Sequence, residues 1–229
     1  MTSGIVLALF LAGRSTSEAT TASYLVSGNA ETALSWLRQD LRETALASIR
    51  PYPAEGGSQA PGVSMVSARA FAEKQQGDLL VNDHGAPKWD KHVFYTVVVP
   101  SGSVTGTLVR WEKEIEDDKD LPIPATLLPS QIQSNHKRVL LQHVVAPNAT
   151  LSGVGQGGSI AGTPFGGLRV QFVRRTGGEA GAESLTTVNP AKGKAEDNTR
   201  LLEVELQVYQ TRGSSPNFYS IRFRVAPLY

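Results

Sequence analysis

The hydrophobic periodicity of this chain changes at two prolines, Pro51 and Pro53, and this change limits the folds that it can adopt. Before them, residues 15–49 contain no proline, and apolar side chains recur there at helical spacing. The apolar stripe consists of Leu34, Leu37, Leu41 and Ala45. Because proline lacks an amide donor and disfavours helix in the preceding residue, we expect one continuous helix from about Ser17 to Ile49.

An unbroken apolar run, residues 5–12, precedes this segment. It is too short to cross a bilayer by itself, which takes about 20 residues. Three interpretations stay open: the end of a longer apolar helix that starts upstream, a signal peptide without the usual basic residues before it, or a buried helix end. The residues expected to serve helix packing and assembly are Ile5, Leu7, Leu9 and Leu11 in the apolar run, and Leu34, Leu37 and Leu41, which are expected to pack against the sheet.

After Pro53 the pattern is that of β-strands separated by long loops. Six segments are rich in β-branched and aromatic residues or alternate between apolar and polar side chains. They are residues 92–99, 107–112, 139–146, 168–173, 202–208 and 219–225. The order predicts an α+β fold, with a long N-terminal helix (residues 1–50) packed on the antiparallel sheet of a β-domain (residues 51–229). Residues 176–200 are predicted to form a long loop.

The last two predicted strands carry complementary charges. The length of the loop between them places Glu203 and Glu205 opposite Arg224 and Arg222. Alternation predicts that one face is buried and that Glu205 and Arg222 are exposed on the other. The buried side chains of this pair are expected to be Val204, Leu206, Ile221 and Phe223.

The composition and motifs give no positive support to an enzyme. The chain has no cysteine and a net charge of +1, which excludes thiolate chemistry and provides no basic excess for nucleic acid. The histidines are not spaced as zinc ligands, and the glycines at 153–158 lack the Lys-Ser/Thr of a phosphate loop. For the acidic segment 116–120, a solvated loop is favoured over a calcium site, which wants six to eight oxygens. We therefore expect no catalytic residue, cofactor or metal.

Two short motifs resemble those of minor type IV pilins and type II secretion pseudopilins of the J and W types. One is the Leu-x-x-Asp-Leu-Arg pattern at residues 37–42, and the other is Leu-x-Arg at residues 108–110. The order of the later strands is also similar to that of the family. The family's N-terminal processing motif is missing, and its spacing would place it about a dozen residues before Met1.

The resemblance implies a structural subunit at or near the tip of a filament, acting by helix packing and assembly. Its partners would be other minor pilin or pseudopilin subunits, and the inner membrane if the full-length start lies upstream. It implies a periplasmic domain held at the inner membrane, or a place in a cell-surface filament. The alternative is a secreted or surface-attached β-rich binding module, with residues 1–13 as a weak signal peptide.

Overall fold

The computed structural model describes residues 27–52, 62–71, 77–116, 118–125, 136–147, 149, 167–176, 179–184, 201–212 and 215–229. One α-helix, α1, spans residues 27–43, and one 3-10 turn follows at Leu46–Ser48. The strands are β1 (Arg50–Pro51), β2 (Gly62–Ser67), β3 (Lys91–Val98), β4 (Thr105–Glu114), β5 (Lys137–Val145), β6 (Leu168–Thr176), β7 (Glu179–Ser184), β8 (Leu202–Arg212) and β9 (Ser215–Val225). Within these residues no helix is both long and apolar enough to cross a membrane.

The predicted fold, a long N-terminal helix packed on a sheet, is wrong. The described residues form mostly antiparallel β-sheet with a single short helix of 17 residues, 27–43. The sheet dominates because nine strands pair into one layer, and apolar side chains of β2–β6, β8 and β9 pack with the helix in one core. The predicted helix before residue 27 lies outside the described residues, and the division at residue 50 stays a prediction.

The helix also ends earlier than predicted, because tertiary hydrogen bonds replace helical ones after residue 43. The Thr44 hydroxyl donates to the Val66 carbonyl at 2.6 Å, and Ala45 is already extended. Backbone groups next to the helix end form hydrogen bonds with the C-terminal residues. The Leu46 amide donates to the Tyr229 carbonyl, and the Leu228 amide donates to the Arg42 carbonyl. Long-range pairing therefore overrides a proline-free sequence of good helical character.

All six predicted strands are confirmed, and β3 and β4 form the expected hairpin, with Gly102 at a positive φ in its turn. The predicted loop at 176–200 is partly wrong, because Glu179–Ser184 forms β7 against β6. That segment is rich in Gly, Ala and Glu, which have low strand propensity, so its pairing depends on the neighbouring strand.

Strand β8 is the branch point of the sheet. Its whole length pairs with β9, while its other edge is shared by β6 at residues 202–206 and by β5 at Val208. The order across the layer is β1-β2-β3-β4-β5-β8, with β6-β7 and β9 joined to β8. At the fork the chain passes so close to β5 that a Cβ on Gly167 would lie 1.9 Å from the Val145 carbonyl oxygen, which requires glycine there.

The core lies between α1 and one side of the sheet, which we call the inner face. Leu37 and Leu41 are fully buried there, and Leu34 is nearly so. The strands contribute to the same cluster Val63, Met65, Val93, Leu108, Val144, Leu202, Val204, Leu206 and Phe223. The helical stripe predicted from sequence therefore packs on the sheet of its own chain.

Candidate functional site

A buried ionic network joins α1 to β3 and β4. The Arg110 Nε donates to Asp40 Oδ2 at 2.8 Å, and the Tyr95 hydroxyl donates to the same oxygen at 2.5 Å. Arg110 Nη1 also donates to the Glu112 carboxylate, which accepts a 2.9 Å bond from Lys91 Nζ. We call these five residues the Asp40 network. The four strand residues lie on the inner face, Asp40 meets them from α1, and all five are buried among the core side chains.

Strand alternation brings the network together. Tyr95 and Arg110 are cross-strand partners in the β3–β4 register, and Glu112 follows Arg110 by two residues on the same face. Asp40 reaches them from the helix, three residues after Leu37 and one before Leu41. A polar group in such a position is tolerated only when it is paired, because burial of a lone charge is expensive.

The electrostatics of the network keep Arg110 and Tyr95 protonated. Burial disfavours the charged form of Arg110, but Asp40, Tyr95 and Glu112 outweigh it and raise the Arg110 pKa. Burial, aided by the negative charge of Asp40, raises the pKa of Tyr95 well above its ordinary value. Both pKa values move away from neutrality, so these groups hold their protons across the neutral range. The arrangement serves to fasten the helix to the sheet.

A second ionic cluster lies on the opposite, outer face of β6, β8 and β9. The predicted register is confirmed, with Glu203 opposite Arg224 and Glu205 opposite Arg222. The predicted exposure of Glu205 is wrong, since its side chain is only 3% exposed, whereas that of Arg222 is 50% exposed. Val204, Leu206 and Phe223 are buried as predicted, and Ile221 is only partly buried.

Glu205 is buried because it has partners on both sides. Arg169 of β6 binds it from one neighbouring strand, and Ser220 of β9 donates to it at 3.0 Å from the other. Gln207 adds a bond at 3.1 Å from the same strand. Burial opposes ionisation of Glu205, but Arg169 and these hydrogen bonds prevail and lower its pKa. The prediction treated β8 as half-solvated and did not allow for β6 beside it.

A third cluster, which the sequence analysis missed, consists of Tyr52, His92, Phe94 and Trp111 on the outer face of β3 and β4. The Tyr52 and Phe94 rings lie 4.9 Å apart, and Trp111 packs against them. Within the described residues, the Tyr52 hydroxyl, His92 Nδ1 and Trp111 Nε1 are buried without a hydrogen-bond partner. The alternation of His92 and Phe94 in the predicted strand is the signal that could have placed two of these rings on one face.

Acidification is expected to destabilise the protein through His92. Burial, with help from Lys113, lowers the His92 pKa to about 4. Between pH 6.5 and 4 the unfolded chain therefore binds a proton that the folded protein does not, so stability falls as the pH falls through this window. Allowing for partial exposure, we expect a loss of roughly 1–3 kcal/mol from this group. Urea unfolding at several pH values measures it.

His92→Phe should flatten that component of the pH dependence, because it removes the titrating group and keeps an aromatic ring. The matched control is His84→Gln, at an exposed turn, which should leave the pH profile unchanged. A His92→Phe profile that coincides with that of the unchanged protein would contradict the assignment.

The residues predicted to act in assembly fall into two groups. Leu34, Leu37 and Leu41 lie in the core against the sheet. The residues of the apolar run, Ile5, Leu7, Leu9 and Leu11, lie outside the described residues. Whether the residues of the apolar run contact another subunit stays a prediction.

The acidic segment 116–120 is described except for residue 117. Lys119 Nζ bonds Asp90 at 2.6 Å and Glu114 at 3.2 Å, and the Asp120 amide donates to Asp118 Oδ1. In the part of the chain that the structure describes, no group of three or more His, Asp or Glu side chains is arranged to hold a metal ion.

Comparisons of this chain with protein-family models, with curated proteins and with solved structures find no match. The resemblance to minor pilins and pseudopilins therefore rests on the two short motifs and the order of the strands, and it stays a prediction.

Proposed function

We propose that this chain is a structural subunit of a type II secretion or type IV pilus filament, a minor pilin or pseudopilin that acts by packing and assembly. One observation carries the proposal. The two motifs of the resemblance, at residues 37–42 and 108–110, meet in the folded chain through the contact between Asp40 and Arg110. Leu37, Leu41 and Leu108, which belong to the same motifs, share one core.

In an assembled subunit, the contact between Asp40 and Arg110 would keep the helix and the sheet in a fixed position relative to each other. A helix that packs against other subunits can hold its own β-domain in place only if the helix and the sheet cannot slide past each other. Close-packed leucines resist separation, and a buried ion pair adds directional bonds that fix the register of the helix on the sheet. Ion pairs between Glu43 and Arg69, with distances down to 2.5 Å, fasten the last turn of α1 as well.

The apolar run at residues 5–12 provides the second support. Eight consecutive apolar residues would form an adhesive patch if they were left in water, and such patches mark sites of interaction with protein or membrane. In this proposal the run packs on sibling minor subunits or in the inner membrane, and the β-domain lies in the periplasm or on the filament surface. The subunit performs no chemistry, and its work is surface complementarity.

The test introduces charge into the apolar run of the full chain. Leu7→Asp combined with Leu11→Asp should abolish co-purification with sibling minor subunits, because an aspartate is costly to bury in an apolar contact. The melting temperature of the β-domain should stay unchanged. Ser15→Asp combined with Ser17→Asp is the matched control, with the same added charge just outside the run, and should still co-purify.

Two outcomes would overturn the proposal. Unchanged co-purification by the Leu7/Leu11 variant would show that the run is not an assembly surface. Removal of residues 1–13 from the mature, exported chain would identify a signal peptide and favour the β-rich binding module. A large drop in melting temperature would instead assign the run to the core.

A further inference from the structure

Strand β9 has β8 on one side, and the hydrogen bonds of β8 determine which backbone groups of β9 face the other side. Bonded and non-bonded residue pairs alternate between antiparallel strands. The Gln207 amide of β8 donates to the carbonyl of Gly167, just before β6, at 2.7 Å. In this part of β8 the odd-numbered residues therefore direct their backbone groups to β6, and the even-numbered residues, such as Leu206, direct theirs to β9.

The same alternation continues across β9. Leu206 is paired with Ile221, so Ile221 and Phe223 direct their amides and carbonyls to β8. The amides and carbonyls of Ser220, Arg222 and Arg224 point the opposite way, where no described strand pairs with them. We call this side of residues 220–225 the free edge of β9. A row of unpaired backbone donors and acceptors can serve as a template for a further strand.

The outer face beside the free edge is basic. Arg169, Arg222 and Arg224 contact two glutamates, Glu203 and Glu205, so one positive charge of this cluster remains unbalanced. The Arg222 side chain is 50% exposed, and its nitrogens lie 3.7 Å from Glu203 and 3.5 Å from Glu205. These distances are longer than ordinary hydrogen bonds, so Arg222 keeps donors for a further acceptor.

The inner face beside the free edge combines a cation with apolar surface. Arg38 of α1 lies over the Phe223 ring, with its guanidinium carbon 4.6 Å from the ring centre. Ile221 is only partly buried, so an apolar side chain of an added strand would extend the core there. Strand β8 shows which sequence fits β9, because its glutamates lie opposite the arginines while Val204 and Leu206 lie in the core.

We propose that the free edge of β9 binds an extended segment of another protein in which acidic and apolar residues alternate. The backbone of Ser220, Arg222 and Arg224 would pair with the segment, its acidic side chains would meet Arg222, and its apolar side chains would cover Ile221. A second copy of β9 is disfavoured, because antiparallel pairing of two such edges brings the arginines of both copies to the same face, where like charges repel. The surface does not depend on the proposed filament function.

The probe is a peptide with the sequence of residues 202–208, the segment that already complements the other side of β9. A control peptide carries lysine in place of both glutamates. Amide hydrogen exchange is measured by NMR in the full chain. Without peptide, the amides of Ser220, Arg222 and Arg224 should exchange at least about tenfold faster than those of Ile221 and Phe223. The acidic peptide at saturation should slow the three edge amides by at least about tenfold, and the lysine peptide should leave them unchanged.

Ser220→Pro is the decisive variant, because it removes an edge-facing amide and leaves the amides that bond β8 in place. It should weaken binding of the acidic peptide by at least about tenfold. Ser220→Ala is the matched control, since it loses the same hydroxyl, which donates to Glu205 at 3.0 Å, but keeps the amide. It should bind the peptide as the unchanged protein does. Arg222→Gln should weaken binding by about threefold through loss of the charge.

Each of four results would overturn this surface. If the amides of Ser220, Arg222 and Arg224 are as protected as that of Ile221 in the chain alone, the edge is already covered. If the acidic peptide leaves their exchange unchanged, the edge accepts no such strand; neither comparison requires a variant to fold. Equal binding of the acidic and lysine peptides would contradict the selection for acidic residues. Unchanged binding by Ser220→Pro would place the peptide elsewhere.

Discussion

Replacing Asp40 by alanine is expected to lower the free energy of unfolding by about 3–5 kcal/mol. The substitution leaves the guanidinium of Arg110 in the core without the carboxylate that binds its Nε, and it removes the acceptor of the Tyr95 hydroxyl. Removal of one member of a buried ion pair costs more than the pair itself contributes, because the remaining charge stays desolvated. A loss of this size is a large part of the 5–15 kcal/mol that is typical of a domain. Urea unfolding followed by circular dichroism measures it.

A double-mutant cycle separates this pairing from general damage to the core. Asp40→Ala and Arg110→Ala should each be strongly destabilising, and the double variant should lose at least about 1 kcal/mol less than their sum. Glu31→Gln, on the exposed side of the same helix, is the control and should change stability by less than about 0.5 kcal/mol. Additive losses in the cycle would mean that Asp40 and Arg110 do not stabilise each other.

Local sequence patterns were sufficient for the strands and for one register, because both depend on short-range periodicity. Alternation identified β6, β8 and β9, and apolar segments rich in β-branched residues identified β3, β4 and β5. The length of the last loop set Glu203 against Arg224. The position of the helix end could not be predicted from such patterns. It depends on hydrogen bonds from residues near the helix end to Val66 and to the C-terminal backbone, which are far away in the sequence. The burial of Glu205 failed for a similar reason, because it depends on which strand lies beside β8.

The Asp40 network could not be predicted from periodicity, because Asp40 and Arg110 are 70 residues apart in the chain. The helical pattern places Asp40 on the polar side of an amphipathic helix, although it directly precedes the buried Leu41. Arg110 follows Leu108 by two residues in β4, so both side chains point toward the core. One charged residue stands at a core-facing position of a strand, and an oppositely charged residue stands beside the buried stripe of the helix. Together they indicate only weakly that the two residues pair. The sequence alone offers no means of matching the two.

Leu37→Ala is expected to destabilise the protein by about 2–5 kcal/mol. The side chain is fully buried between α1 and the inner face, so its truncation removes apolar contacts and leaves a cavity that the flanking strands cannot fill. Leu37→Met, which conserves volume, should cost less than about 1.5 kcal/mol, and Ser35→Ala on the exposed side should be close to neutral. Chemical denaturation of the three variants measures these losses.

The size of that loss decides what Leu37 does in the proposed subunit. A residue that packs on its own sheet destabilises the isolated chain when it is truncated, whereas a residue that serves contacts between subunits affects assembly and leaves folding intact. The zero exposure of Leu37 places its contacts within the chain, so Leu37→Ala should impair co-purification only as far as it unfolds the protein. A variant that melts like the unchanged protein but no longer joins sibling subunits would reverse this assignment and would imply that α1 separates from the sheet during assembly.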